Sequence, residues 1–192
     1  TERTYKKDYW TRFKTWSEEE KLERTQARDW VLTEAEPCFD AADVARLGRD
    51  LLVQQSTVTN AAGIRWLRQH FPNHRIHAVI FKEDAPMHID ATFVPVRPGL
   101  ALSNRQRKPL TPELAELFKK NDWEIIECAK PAHDKKAKLS FCSVWLSMNI
   151  LILDPKTVCV EASEKEQMEQ FDKLGFEVVP VPLWDVAAFG GG

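Results

Sequence analysis

Apolar positions in this chain follow a strand period, then a helix period, then a strand period again, and the block repeats. One copy has a strand from Met87 to Val96, a turn at Arg97-Pro98-Gly99, a short strand from Leu100 to Ser103, a helix from about Pro112 to Lys120 and a strand from Trp123 to Glu127. A second has a strand from Leu146 to Leu153, a turn at Asp154-Pro155-Lys156, a strand from Thr157 to Glu161, a helix from Glu164 to Leu174 and a strand from Phe176 to Val181. An earlier, partial copy comprises Asp50 to Gln54, the helix Ala61 to Phe71 and the strand Ile76 to Phe81. Boundary residues agree with this parse. Thr111-Pro112-Glu113 puts proline at the first helical position behind a capping threonine, and Gly175 stands where a left-handed helix stop is wanted.

A unit of strand, strand, helix, strand this small cannot bury both faces of its sheet and its helix alone. Repetition around an axis solves the problem, with short sheets at the centre and helices outside. About three units are too few to close such a ring, so exposed module edges are expected, covered by further units or by a partner chain. Residues 1–30 read differently. Tyr9, Trp10, Phe13 and Trp16 fall at helical spacing in a charged background, and Ser17-Glu18-Glu19-Glu20 is a helix start; an amphipathic helix packing its aromatics on the body accounts for the segment without chemistry. The division expected is therefore 1–30 and 31–192.

At 192 residues and 43% hydrophobic content the chain can bury a substantial core. Lys+Arg 27 against Asp+Glu 29 leaves a net charge of −2, and the basic residues are scattered pairs, which argues against a nucleic-acid partner. No apolar run reaches the length of a membrane span. The cysteines Cys38, Cys128, Cys142 and Cys159 have no metal-ligand spacing and suit a reducing, intracellular compartment. The chain opens on Thr1 and closes on Gly190-Gly191-Gly192, so both ends read as cut.

Chemistry concentrates in Pro86-Met87-His88-Ile89-Asp90-Ala91-Thr92-Phe93. On a strand, His88 and Asp90 at i and i+2 share a face, and an imidazole beside a carboxylate in an apolar segment demands a partner or a ligand. A second carboxylate, Asp40, lies in Glu36-Pro37-Cys38-Phe39-Asp40-Ala41-Ala42-Asp43; Asp40 and Asp43 also fit a helix N-cap with its capping-box partner. These segments point to proton transfer on a cationic, nitrogen-rich substrate. His70, His74 and His77 have a spacing that hints at a metal, but they straddle a helix end, Pro72 and a strand start and face different ways. No metal or other cofactor is expected.

The blocks around Asp40 and His88, with Gly48-Arg49-Asp50, Val58-Thr59-Asn60, Leu102-Ser103-Asn104 and Trp145-Leu146-Ser147-Met148-Asn149, closely resemble the glycine amidinotransferase family from about Val31 to Gly192. The resemblance implies an α/β fold: part of a five-module α/β propeller of the pentein type, built from ββαβ repeats, with about three modules present. It implies transfer of an amidino group from arginine to an amine, classically glycine, through an amidino-cysteine. His88 matches the general acid/base and Asp40 its carboxylate partner. Asp90 matches a residue that grips the guanidinium, and Arg107 the arginine that holds the substrate carboxylate. Met87, Cys142 and Ser143 match substrate-binding positions, the last two standing where the family has two adjacent serines, of which Ser143 is kept and the other is replaced by Cys142.

In the family the nucleophilic cysteine follows the triple glycine in a Gly-Gly-Gly-x-His-Cys segment, so none of this chain's four cysteines matches it. Cys38, ahead of the helix start near Asp40, has a position that favours some thiolate, although a buried structural thiol describes it better. Ala85 stands where glycine-using enzymes carry Asn, and this smaller residue points to a broadened acceptor; Cys142 stands where the family carries Ser, and its poor donor points to altered recognition of the amino-acid end. The partners implied are small molecules, with a homodimer or partner chain completing the propeller, in the cytoplasm or the mitochondrion. An arginine deiminase-like hydrolase and a non-catalytic guanidino-binding paralogue are the alternatives, and apart from the match a solvated surface arginine is the better description of Arg107.

Overall fold

The computed structural model describes residues 3–108, 112–133, 142–187 and 189. Its strands form three small sheets of identical topology. In the first, β1 (Val44–Leu47) pairs antiparallel with β2 (Asp50–Gln54), helix α3 (Ala61–His70) follows, and β3 (Arg75–Val79) returns parallel to β2. The second has β4 (Phe93–Arg97), β5 (Leu100–Ser103), α4 (Pro112–Lys120) and β6 (Glu124–Glu127); the third has β7 (Leu151–Asp154), β8 (Thr157–Glu161), α5 (Lys165–Lys173) and β9 (Glu177–Val181). The expected ββαβ repeat is therefore present three times. The partial copy is complete: β1, four residues between a carboxylate and a glycine, was too short to register as a strand from its pattern.

Two compact units are seen, one of residues 1–92 and 106–122, the other of 93–105 and 123–192. In the first, the apolar face of α3 supplies Ile64 and Leu67, which bury against Val53 of β2 and Ile76 of β3. Each such side chain contributes roughly 1.5–3 kcal/mol. Ahead of this core, the amino-terminal segment folds as two short helices, α1 (Tyr9–Phe13) and α2 (Glu18–Gln26), rather than one. Ser17 caps α2 through a full capping box: its Oγ accepts from Glu20 N at 3.1 Å, and its own N–H donates to Glu20 Oε2 at 2.8 Å. Tyr9 is buried against Val31 and Leu32, with Phe13 and Trp16 packed around it.

In the second unit α5 ends as its sequence requires. Gly175 takes φ +80°, its N–H donates to Asp172 O at 2.9 Å, and Phe176 N donates to Phe171 O at 3.0 Å. Phe176 then meets Phe171 edge to face at 5.4 Å, completing a Schellman stop. The Thr111 cap expected for α4 lies outside the described residues.

Two strands are shorter than their apolar runs imply. The run Met87 to Val96 is extended only from Phe93, because His88 takes φ +62° and Thr92 N closes a turn on Ile89 O at 2.9 Å. His88 and Asp90 therefore do not share a strand face. Asp90 drives part of this turn, its Oδ1 accepting from Ala91 N at 2.8 Å. The run Leu146 to Leu153 likewise becomes strand only at Leu151, since Met148 N bonds Trp145 O and Asn149 N bonds Leu146 O in a buried turn. A continuous apolar run does not distinguish buried turn from buried strand.

Glu164, the residue before α5, is only 1% exposed; its Oε2 accepts from Ala132 N at 2.8 Å and its Oε1 has no partner among the described residues. Burial raises its carboxyl from 4.5 to about 7 against the pull of the Ala132 amide, with Glu161 and Glu166 adding to the rise. Between those values the folded chain holds a proton that the unfolded chain has released, so stability falls as pH rises from 4.5 toward 7. Denaturant unfolding should show Glu164→Gln more stable than wild type at about pH 8, by of order 2–3 kcal/mol, with the gap closing near about pH 4. A gap independent of pH would mean that Glu164 does not titrate in this window.

Candidate active site

The segment from Glu36 to Asp43 is held against the start of α3 by one side chain. Asn60 caps the helix with Oδ1, which accepts from Gly63 N at 2.7 Å and from Cys38 N at 3.0 Å, while its Nδ2 donates to Thr33 O at 2.7 Å and Glu36 O at 2.8 Å. Every polar atom of the amide is used, which is what a residue 2% exposed requires. The backbone of Asp40 is fixed next, its N–H donating to Thr59 Oγ1 at 3.0 Å.

Asp40 caps a short 3₁₀ turn, Ala41–Asp43, by accepting from Ala42 N through Oδ1 at 2.9 Å. Its Oδ2 faces His88 Nε2 at 3.5 Å, with both side chains about two-fifths exposed. The capping reading and the partner reading of Asp40 thus hold together, on different oxygens. Asp43 is not the capping-box partner: its carboxylate turns inward, to Gln54, Ser56 and Thr59.

His88 sits in the left-handed region, which a side chain rarely adopts and which clusters at functional sites. The next residue ties it down, Ile89 N donating to Ala42 O at 2.9 Å. Two segments far apart in sequence are thereby joined, one presenting a carboxylate and the other an imidazole.

Arg107 is not a solvated surface arginine. Its side chain is 15% exposed, paired with the 13% exposed Glu83 at 3.0 Å, and its second terminal nitrogen lies 3.3 Å from Thr92 Oγ1 and 3.4 Å from Ala91 O. It thus reaches the turn that carries Asp90. Asp90 and Met87 are themselves exposed, Met87 at 47%. Asp40, Met87, His88, Asp90 and Arg107 all belong to the first unit; Cys142 and Ser143 belong to the second. There Ser143 Oγ accepts from Trp145 N at 3.2 Å and starts the buried turn after it, and Cys142 is half-buried.

The thiolate bias expected for Cys38 is reversed. Burial raises its thiol, and Glu36 and Glu34 add to the rise. His70 places Nδ1 on Trp66 O at 2.8 Å and stacks on the Trp66 ring, while His77 Nε2 meets Asp50 Oδ1 at 2.8 Å, so these imidazoles serve different neighbours. Sequence reasoning missed Thr59, Glu83 and the inward role of Asp43. Thr59 fell inside a matched block, which was its one signal; Glu83 sits in a polar loop and carried none.

No protein-family model matches the chain. A mitochondrial glycine amidinotransferase of Gallus gallus is 46% identical over 164 residues, covering 85% of this chain and 38% of the relative. An L-arginine:L-lysine amidinotransferase of Pseudomonas savastanoi pv. phaseolicola is 39% identical over 170 residues, covering 88% of this chain and 46% of the relative. Among solved structures, an amidinotransferase of the saxitoxin biosynthetic pathway from Microseira wollei superposes with TM-score 0.77 at 33% identity, over 85% of this chain and 47% of that one. A dimethylarginine dimethylaminohydrolase shares the fold alone, at TM-score 0.61 and 19% identity, over 83% of this chain and 56% of that one.

Three repeated ββαβ units of the pentein type, bearing an imidazole–carboxylate pair, place this chain among proteins built like those that work on guanidino groups. Over most of its length it is similar to amidinotransferases. The chain spans less than half the length of the curated relatives named here.

Proposed function

We propose that the protein carrying this chain moves the amidino group of arginine to a primary amine, glycine or a related one, with His88 as general acid/base and Asp40 as its partner. The observation that supports this best is the 3.5 Å approach of Asp40 Oδ2 to His88 Nε2, both open to a substrate. A guanidinium is delocalised and resists attack, so its carbon reacts only when its nitrogens are gripped and the departing amine receives a proton.

In this reading a cysteine thiolate adds to the guanidino carbon, the bond to the ornithine nitrogen breaks, and the His88 imidazolium gives that nitrogen its proton. The neutral imidazole then takes a proton from the acceptor amine as its nitrogen attacks, and the carbon–sulfur bond breaks to return the thiolate. By the resemblance, in which the nucleophile follows a triple glycine, the nucleophile is assigned outside residues 1–192; in keeping with that, burial raises the thiols of Cys38 and Cys128 instead of activating them. By the resemblance Asp90 grips the guanidinium and Arg107 holds the substrate carboxylate, both within the first unit, while Met87, Cys142 and Ser143 match substrate-binding positions. The three repeats are taken as part of a five-module ring completed by further chain or by a partner.

Assay of the complete protein with arginine labelled in the guanidino carbon tests the assignment. Transfer yields ornithine and a labelled guanidino product from the acceptor; citrulline in place of ornithine would make the protein a hydrolase, and no turnover would leave a guanidino-binding paralogue. Because Ala85 stands where glycine-using enzymes carry Asn, longer amines are expected to compete with glycine, and strict preference for glycine would reject that part.

Arg107→Ala should raise the KM for arginine by about 10- to 150-fold, the loss of a charge-assisted pair worth about 1.5–3 kcal/mol. The same change takes a charged partner from the largely buried Glu83 carboxylate and should cost of order 3 kcal/mol of stability. Destabilisation with an unchanged KM would assign the guanidinium to Glu83 alone.

A further inference from the structure

Asp43 is a charged side chain with no exposed surface, and the chemistry described above does not use it. Its Oδ1 accepts from Gln54 Nε2 at 3.1 Å, and its Oδ2 from Ser56 Oγ at 2.6 Å and Thr59 Oγ1 at 2.5 Å. The backbone of His88, the residue held at φ +62°, is near enough that its N–H and its imidazole both draw the Asp43 carboxyl down. Thr59 Oγ1 also accepts from Asp40 N, so one hydroxyl joins the buried carboxylate to the backbone of the other half of the pair.

Burial pushes the Asp43 carboxyl up, and the hydroxyls of Ser56 and Thr59, then His88, pull it back. Fold stability alone does not call for this arrangement, since a buried charge held by neutral donors is costly and an apolar residue would pack there without the penalty. What the carboxylate does that an apolar residue cannot is collect donors from the 3₁₀ turn's neighbours, from the end of β2 and from the His88 segment at one point.

We propose that Asp43 is a positioning residue: it holds the His88 backbone in its left-handed conformation and, through Thr59, the Asp40 backbone, so that imidazole and carboxylate meet in register. The proposal rests on reading His88 and Asp40 as the acid/base centre. A catalytic pair must be held within about half an ångström of its working geometry by groups behind it, and Asp43 is the one side chain described here that touches the supports of both members.

The test uses the complete protein and compares wild type, His88→Ala, Asp43→Asn, Thr59→Val and Gln54→Met. Asp43→Asn keeps the size of the side chain but turns an N–H₂ toward donors, and should lower kcat at least about 50-fold while leaving the KM for arginine within about threefold. Thr59→Val, which cuts the link to Asp40, should lower kcat at least about tenfold. Gln54→Met removes a hydrogen bond from the same carboxylate without touching either support, and should keep kcat within about threefold even where it lowers Tm as much. In wild type the His88 amide should be protected from solvent exchange at least about 100-fold, as an N–H bonded to a buried acceptor is.

If wild type forms no ornithine, or His88→Ala retains turnover, the transferase reading fails. If both behave as expected and Asp43→Asn is folded with kcat within about threefold of wild type, the positioning role alone is overturned. Should Asp43→Asn not fold, Thr59→Val and the amide measurement decide: near-normal kcat in the one, or free exchange in the other, overturns it.

Discussion

His88→Ala in the complete protein is expected to remove ornithine formation, a loss of about 10²–10⁴-fold if the imidazole supplies general acid–base catalysis. The fold should survive it, because the side chain is two-fifths exposed and faces Asp40 across 3.5 Å at the surface. Alanine brings a complication of its own. At φ +62° a residue with a short polar side chain fares better than alanine, so His88→Ala should also lose of order 1 kcal/mol of stability. His88→Asn separates the two effects, since asparagine tolerates that backbone and cannot shuttle a proton at neutral pH. Both variants should be inactive, and His88→Asn should melt closer to wild type. Near-normal turnover in His88→Asn would remove the imidazole from the mechanism.

Asp40 calls for the same care, because its two oxygens do different work. Asp40→Ala removes the cap on the Ala41–Asp43 turn, worth about 0.5–2 kcal/mol, together with the carboxylate facing His88. Asp40→Asn keeps an oxygen for the cap and turns an uncharged amide toward the imidazole. Loss of turnover in both, with loss of stability only in the first, is the pattern expected of a residue that is cap and partner at once.

The fold was largely legible because its signal is repetition. Apolar spacing, Pro112 at a helix start and Gly175 at a helix stop each bias the backbone locally, and three copies reinforce one another. Less was legible where a polar side chain redirects the backbone. Asp90 bonding Ala91 N, and Ser143 bonding Trp145 N, turn apolar runs into buried turns, and no periodicity reports that. The site was legible only as chemistry. An imidazole two residues from a carboxylate drew attention to this segment through Asp90, whereas the carboxylate that faces His88 is Asp40. Pairing across distant segments is decided by tertiary packing, and the residues that decide it, Asp43, Thr59 and Asn60, look from sequence like ordinary turn and cap residues.

Gly63→Ala is expected to damage both fold and site, against the usual direction for a helix. Within α3, alanine in place of glycine would ordinarily gain about 1 kcal/mol. Here a Cβ on residue 63 would stand 2.1 Å from Cys38 O and 2.7 Å from Cys38 C, backbone atoms that no rotamer change moves aside. The close approach is what lets Asn60 bond Cys38 N while its own N–H donates to Cys38 O at 3.0 Å, so the segment leading to Asp40 lies directly on the first turn of the helix. Pushing that segment away strains or breaks these bonds, and overpacking of this kind costs about 1–3 kcal/mol, more where backbone must shift. The clash therefore outweighs the propensity gain. Thermal unfolding should show a net loss of about 3 kcal/mol, and kcat should fall with Asp40 displaced from His88. A stabilised Gly63→Ala variant would mean that the helix does not lie against Cys38 as described, and the support proposed for Asp40 would go with it.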